Sequence, residues 1–465
     1  MYATLLFDVE DLVTTESDDV VKWLADILHE EGLKGTFLLV AEKARLLEAR
    51  GRFDVLDALK WHDLGSHTDT HSIHPTVSEY LANKDWNGGV KEAYEREVRG
   101  FKDLERIFGK EMKSLGQPGG SYGPQLVYAL GRMGKAYVYS PVWLPNHNIL
   151  WFCGALNFSE WFGGFDQYYT DIQKFDEKLN QLGEYIRENH DKGVDWIGVF
   201  CCHPTTVRAL KFWDAVNLAQ GQNPPRREWK YPPLKTEAEM EVAKSNFRRL
   251  VRFLKENSLI EVKTISELME LYSAQVKEIT KDELASMAKD ILKEGEILVN
   301  GNFSSAETLT ALAESILSYV ENKALPNKVR RREVLGPMDM PIREPEIGKL
   351  TWKDATRIAE KIAYHVREKG ALPGNVEIEE GRRVGIASVY LAFADISLKL
   401  NEGVIPRQTV LKAANSYPSI AEKIEEEVRG NLIGWIIHKP DLNQENIVKY
   451  TKLQTWTLKP AHRHE

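Results

Sequence analysis

Cysteine is scarce in this chain: three residues among 465, Cys153 and the adjacent pair Cys201 and Cys202. So few exclude a disulfide framework and a four-cysteine zinc site, and they read as reduced, buried, small hydrophobes. Long hydrophobic runs are missing too. Without an uninterrupted apolar stretch of ~18 residues, no membrane span is expected. The first residues run straight into a strand-like segment, with neither the basic start nor the apolar core of a signal peptide, so a cytoplasmic location is expected. Nor is positive charge in surplus. Lys and Arg total 61 against 69 Asp and Glu, a formal net charge of −8, which argues against nucleic acid as a partner because no excess can displace counterions from phosphates.

What is present belongs to a globular protein: 43% hydrophobic and 28% charged residues, in a chain long enough for two or three separate cores. From residue 2 to about 273, short apolar runs alternate with helical patterns. The run 2–7 is followed by a helix over 18–31, with Val20, Val21, Leu24, Ile27 and Leu28 on one stripe, then by the run 35–40. Further runs at 63–66, 113–115, 136–139, 149–152, 196–200 and 260–262 keep that rhythm. Strands that do not alternate are buried on both faces. The fold class expected is therefore α/β over 1–273, a parallel barrel or parallel sheet, with a barrel of about seven strands favoured.

Beyond about 278 the pattern turns mainly α-helical and repeats. Thr280-Lys281-Asp282-Glu283-Leu284 is echoed by Thr351-Trp352-Lys353-Asp354-Ala355, and Leu325-Pro326 by Ile405-Pro406. Two related units, at about 279–326 and 350–406, are expected to pack together in an accessory domain over 278–465, because one alone cannot bury its apolar face. Each would hold a short non-helical segment between two helices, at 297–301 and 372–378, and a charged connector, 327–345, would separate them.

Chemistry concentrates in the first half. Gly65-Ser66-His67-Thr68-Asp69-Thr70-His71-Ser72-Ile73-His74-Pro75 packs three of twelve histidines into eight residues. On a helical turn His67 and His71 would project from one face, a spacing that suits two ligands of one metal ion. The first strand ends in Phe7-Asp8-Val9-Glu10-Asp11, three carboxylates in four positions, which repel one another unless solvent or a cation lies among them. Two histidines and a carboxylate can hold a divalent ion that activates water, a second carboxylate can serve as general base, and a proton donor is then needed. His203, directly after the apolar run Val199-Phe200-Cys201-Cys202, stands at another strand end and supplies one.

These three elements, in this order, resemble the polysaccharide deacetylase family, the NodB-homology carbohydrate esterases. The resemblance spans roughly residues 2–273 and implies a distorted parallel (β/α)7-type barrel there. It implies hydrolysis of an N-acyl group on an amino sugar or polysaccharide, a divalent metal ion, usually zinc, Asp8 as catalytic base and His203 as catalytic acid. It also implies His67, His71 and a carboxylate as metal ligands. Asp8 and Glu10 point to the same side of an extended chain, which favours Glu10 over Asp11 as that carboxylate. Three departures stand out, the first being that the family's consecutive aspartate pair is here Asp8-Val9-Glu10-Asp11. The family's third motif places an arginine ahead of a proline, where this chain has Gln117-Pro118-Gly119-Gly120-Ser121-Tyr122; here Pro118, Gly119 and Tyr122 are expected to bind substrate. The fourth motif, with its aspartate and tryptophan, has no match in 139–145. Aromatic residues from Trp151 to Tyr169 offer either a sugar-stacking face or core, and the excursion around Arg226-Arg227-Glu228-Trp229-Lys230 a lid or an oligomer contact. The helical repeats are similar to pseudomurein-binding-type repeats and would bind a polymer, or join copies of the chain into a homo-oligomer. The alternatives kept open are an allantoinase-like small-molecule amidohydrolase on the same barrel and a non-catalytic carbohydrate-binding protein.

Overall fold

The computed structural model describes residues 1–299, 301–343, 348–379 and 382–463. Asn300, within the segment 297–301 expected to be non-helical, and residues 344–345 of the expected connector lie outside the described residues. The chain divides into two units. The first takes 1–150, 155–273 and 427–447, and the second 151–154, 274–426 and 448–465. One division falls between 273 and 274, and a stretch near the far end of the chain groups with the first unit.

The first unit is built on strands β1 (Tyr2–Val9), β2 (Thr36–Leu39), β3 (Asp63–Ser66), β4 (Ser114–Gly116), β5 (Ala136–Val138), β6 (Ile149–Phe152), β7 (Ala155–Phe158), β8 (Trp161–Phe162), β9 (Trp196–Cys202) and β10 (Glu261–Val262). Every residue of β1 and of β9 is buried, which explains why neither alternates. Pairing is parallel from β9 through β1, β2, β3 and β4 to β5. Strand β7 then pairs with β5, and only two residues later β8 pairs with β9, both in parallel. One extended stretch, 155–162, therefore joins the two ends of the sheet and completes a seven-position ring. The sequence pattern puts the sixth position at 149–152. That run does form β6, but Cys153 and Gly154, at φ 50° and 75°, turn the chain, and 155–162 takes the place in the ring.

Helices fill the crossovers. Ser17–Glu30 lies between β1 and β2, Trp86–Phe108 leads to β4, Ile172–Asp191 to β9 and Glu237–Glu256 to β10. Their ends follow local chemistry: Asp85 caps Trp86–Phe108 by accepting from the Gly88 amide, and Gly109 at φ 69° ends it. Thr236 with Glu239, and Thr264 with Glu267, form capping boxes.

In the second unit the repeat is visible as structure. Strand Glu278–Thr280, helix Lys281–Glu294, helix Ser305–Asn322 and strand Lys328–Arg330 form one copy. Gly348–Thr351, Trp352–Lys369, Ile386–Asn401 and Gln408–Leu411 form the other, with the hairpin Asn375–Glu379 and Arg382–Gly385 inserted. In each copy the outer strands pair antiparallel, the first helix opens on a capping box (Thr280/Glu283, Thr351/Asp354), and it ends on a left-handed glycine (Gly295, Gly370). Lys281–Glu294 packs on Ile386–Asn401, and Ser305–Asn322 on Trp352–Lys369, so each copy covers the other's apolar face around one core. Among the described residues, no helix is long and apolar enough to cross a membrane.

Candidate active site

The ring brings together the C-terminal ends of β1, β3, β4, β5 and β9, the end of a parallel barrel where reactive side chains collect. Asp8 is the penultimate residue of β1, and Glu10 lies just past its end, two positions on and facing the same way. Asp11 does something else: its Oδ1 accepts the amides of Val13 and Thr14, both at 2.8 Å, which holds the turn leaving the strand. Of the three carboxylates, Glu10 is the one that faces both histidines. Its Oε2 is 3.4 Å from His67 Nε2 and 2.9 Å from His71 Nε2.

The histidines do not share a helical turn. Residues 67–71 form a bent loop after β3, with Thr68 at φ 67° and His71 at φ 52°, and this reversal brings the two rings to 4.8 Å between centroids. Each is oriented through its Nδ1. His67 Nδ1 is 3.1 Å from Gly116 O at the end of β4, while His71 Nδ1 meets Ser72 Oγ, which in turn donates to Asp214 Oδ2. Both Nε2 atoms are thereby left facing Glu10, an arrangement that suits ligation. Although His71 Nε2 and Glu10 Oε2 are close, His71 Nε2 makes no aligned hydrogen bond, and Glu10 Oε1 has no hydrogen-bond partner. Buried polar atoms left unpaired around a common point fit a divalent cation, and Glu10, His67 and His71 have the compact nitrogen and oxygen donor set to hold one.

Asp8 and His203 sit beside this set. Asp8 Oδ2 is 3.7 Å from both His67 Nε2 and His203 Nε2, and Asp8 Oδ1 accepts from the Tyr139 hydroxyl at 3.1 Å. His203 follows β9, and its ring Nδ1 lies 3.2 Å from Asp166 Oδ1, which also accepts the His203 amide and the Thr206 hydroxyl, each at 2.6 Å. Burial pushes the Asp8 carboxyl up, against the opposing pull of His67 and His203. Glu10 is held low: burial raises it, but His71 and His67 outweigh that. For His203, burial favours the neutral ring, yet Asp166, with Glu10 and Asp8, pushes it up to about 10. Burial likewise opposes charge on His71, which Glu10 and Asp214 nonetheless raise. Negative charge at the strand ends thus draws positive charge to the same place.

Other expected positions divide. Pro118 and Gly119 stand in the loop after β4, and Tyr122 is fully buried, with its ring 6.3 Å from that of Tyr137. Gln117 does not replace the missing arginine: its amide donates to Gly119 O at 2.8 Å and its oxygen accepts from Tyr137. Tyr139 is the residue that holds Asp8. Most of the aromatic tract is core, Phe152, Phe158, Phe165 and Tyr169 being wholly buried, while Trp151, Trp161 and Tyr168 are half-buried, Trp161 with its ring 5.3 Å from that of Tyr139. His74 pairs with Glu79 at 2.7 Å and stays out of the ligand set. Sequence reasoning missed Tyr139, Asp166, Ser72, Asp214 and Trp435. An isolated aspartate at the end of Trp161-Phe162-Gly163-Gly164-Phe165 was the available signal for Asp166; the others carry none.

No family model matches the chain, and no curated protein matches its sequence. Solved structures do. A family 4 carbohydrate esterase from Streptomyces lividans is similar at 14% identity and a TM-score of 0.33, over 57% of this chain and 94% of that one. An allantoinase is similar at 10% and 0.39, over 58% and 89%. The carbohydrate esterase domain of a multidomain xylanase from the hindgut metagenome of Trinervitermes trinervoides is similar at 13% and 0.30, over 58% and 89%.

Proposed function

We propose that the first unit is a metal-dependent amide hydrolase that removes an acyl group, N-acetyl by preference, from an amino sugar. The observation that carries this is the juxtaposition of a buried Glu10, His67 and His71 set with Asp8 on one side and the His203–Asp166 pair on the other. Glu10, His67 and His71 would hold a divalent ion, zinc by resemblance, which when bound supplies Lewis-acid polarisation of the acyl carbonyl and a lowered pKa for water. Asp8, kept in place by Tyr139, takes the proton of the attacking water on Oδ2, and its burial makes it the stronger base. A carbon–oxygen bond forms, the carbon–nitrogen bond breaks, and His203 Nε2 delivers a proton to the departing nitrogen. That proton is essential, because an amine anion is a very poor leaving group. Asp166 fixes the His203 ring and keeps it protonated at neutral pH.

The test is metal content after purification, followed by acetate release from N-acetylated amino-sugar oligomers with and without chelator. Bound metal with chelator-sensitive acetate release supports the reading. Metal without acetate, but with turnover of small cyclic amides, would instead favour the small-molecule amidohydrolase, and absence of bound metal the carbohydrate-binding protein.

A further inference from the structure

Residues 427–447 lie far along the chain yet group with the first unit. They are seated there by the amides of Gln220 and Gly221, which donate to Ile436 O at 2.7 Å and Ile437 O at 3.0 Å. Ile437 is wholly buried with Leu12, Val40 and Trp213. This seat places the Trp435 indole edge-on to His71, 5.7 Å between centroids at 89°. It also presses the indole on Gly119, where any Cβ would lie 2.3 Å from the ring, while a Cβ on Gly120 would lie 2.0 Å from Asn431 O. The glycine wall expected from the sequence to meet substrate is met instead by the protein's own strap.

Exposure across the reactive side chains is graded. Those of Glu10 and His71 are 2% and 3% exposed, Asp8 8%, and Asp166 and His203 21% and 25%. The covered end is the one beneath Trp435, and the open end lies over His203, with the Phe212 ring 4.9 Å from it. An internal unit of a polymer needs room for chain on both sides of the reacting acyl group. Atoms in van der Waals contact, about 3.5–4.0 Å apart, leave no gap for a sugar ring between Trp435 and the wall.

We infer that Trp435 is a specificity-determining residue that makes the site one-ended. The ligand it selects is a free N-acyl amino sugar or the terminal unit of a short oligomer, entering over His203 and meeting the indole at the closed end; the inference rests on the deacetylase reading above. The experiment uses the full chain loaded with metal and compares N-acetylglucosamine, its disaccharide and its hexamer, with the deacetylated position read by mass spectrometry. The native chain should act on the disaccharide at least tenfold better in kcat/KM than on internal units of the hexamer. Trp435→Ala should narrow that ratio at least tenfold at unchanged metal content, and Trp435→Phe should keep it. Trp435→Leu, which retains an apolar seat, covers the case in which alanine unfolds the strap. Equal use of internal and terminal units by the native chain, or a Trp435→Ala effect of the same factor at every length, overturns the inference. Absence of acetate at every length would sink the deacetylase reading instead. Calorimetric binding then decides the strap: equal affinity for hexamers N-acetylated only at internal units and only at the terminal unit refutes it, and a terminal-unit preference abolished in Trp435→Ala upholds it.

Discussion

Both units bury charged side chains, but they finish them differently. In the second, the Glu307 carboxylate receives Lys459 Nζ at 2.9 Å on both oxygens, Arg331 at 2.6 Å and the Ser304 amide at 2.8 Å, so its acceptor capacity is filled from within. In the first, Glu10 and His71 are at least as buried, yet keep unpaired atoms turned to a common point. A closed cluster fixes a fold, whereas a cluster left open at a strand end can take a ligand. Burial of charge does not by itself mark a candidate site; unpaired donors and acceptors converging on one point do.

The sharpest way to break this contrast is to remove an open group. Glu10→Ala should abolish metal retention and bring acetate release to background, measured by elemental analysis and turnover; retained metal would dismiss the ligand assignment. Asp166→Asn should keep the metal and lower kcat by about 10²–10⁴-fold. His203 must be protonated to act as the acid, and Asp166 is its main support. The alkaline limb of the kcat profile should therefore move down from near pH 10 toward the usual histidine range in that variant. Glu307→Ala should do the opposite of Glu10→Ala, leaving metal and turnover alone but costing about 3–5 kcal/mol in denaturant unfolding, since Arg331 and Lys459 lose their counter-charge.

The smallest effect concerns Glu97, a buried carboxyl in the first unit that accepts the Asp69 amide at 2.9 Å and is pushed up to about 7, mainly by burial. Unfolded, such a group titrates near ~4.3. Between these values the native chain holds a proton that the unfolded chain has released. Stability therefore falls as pH rises through that window and levels off above about 7. Glu97→Gln should flatten the fall, worth about 1–3 kcal/mol between pH 5 and 8, as read from unfolding at the two pH values.

Much of the fold was legible because it rests on short-range signals. Unalternating runs marked the buried parallel strands, and the recurrence of Thr280-Lys281-Asp282-Glu283-Leu284 at 351–355 exposed the second unit's repeat. The ring's sixth position was misplaced, because 149–152 is the more apolar run and only the turn at Cys153-Gly154 passes the position to 155–158. In the site, Asp8, Glu10, His67, His71 and His203 stood out because rare residue types clustered at the ends of apolar runs. The helical turn first drawn for His67 and His71 is replaced by a loop with two left-handed residues, a conformation that residue spacing does not encode.

By itself, then, the sequence determined the parallel α/β rhythm, the helical repeat and the acids and histidines at the ends of three strands, all set by propensity and periodicity over a few residues. Only the tertiary structure decided that Tyr139 holds Asp8, that Asp166 holds His203, that Asp214 reaches His71 through Ser72, and that Trp435 closes over Gly119. These partners are separated by tens to hundreds of residues, and their types are common throughout the chain. What selects them is the closing of the ring and the seating of 427–447 on it, where burying apolar surface and satisfying buried polar atoms together leave one arrangement.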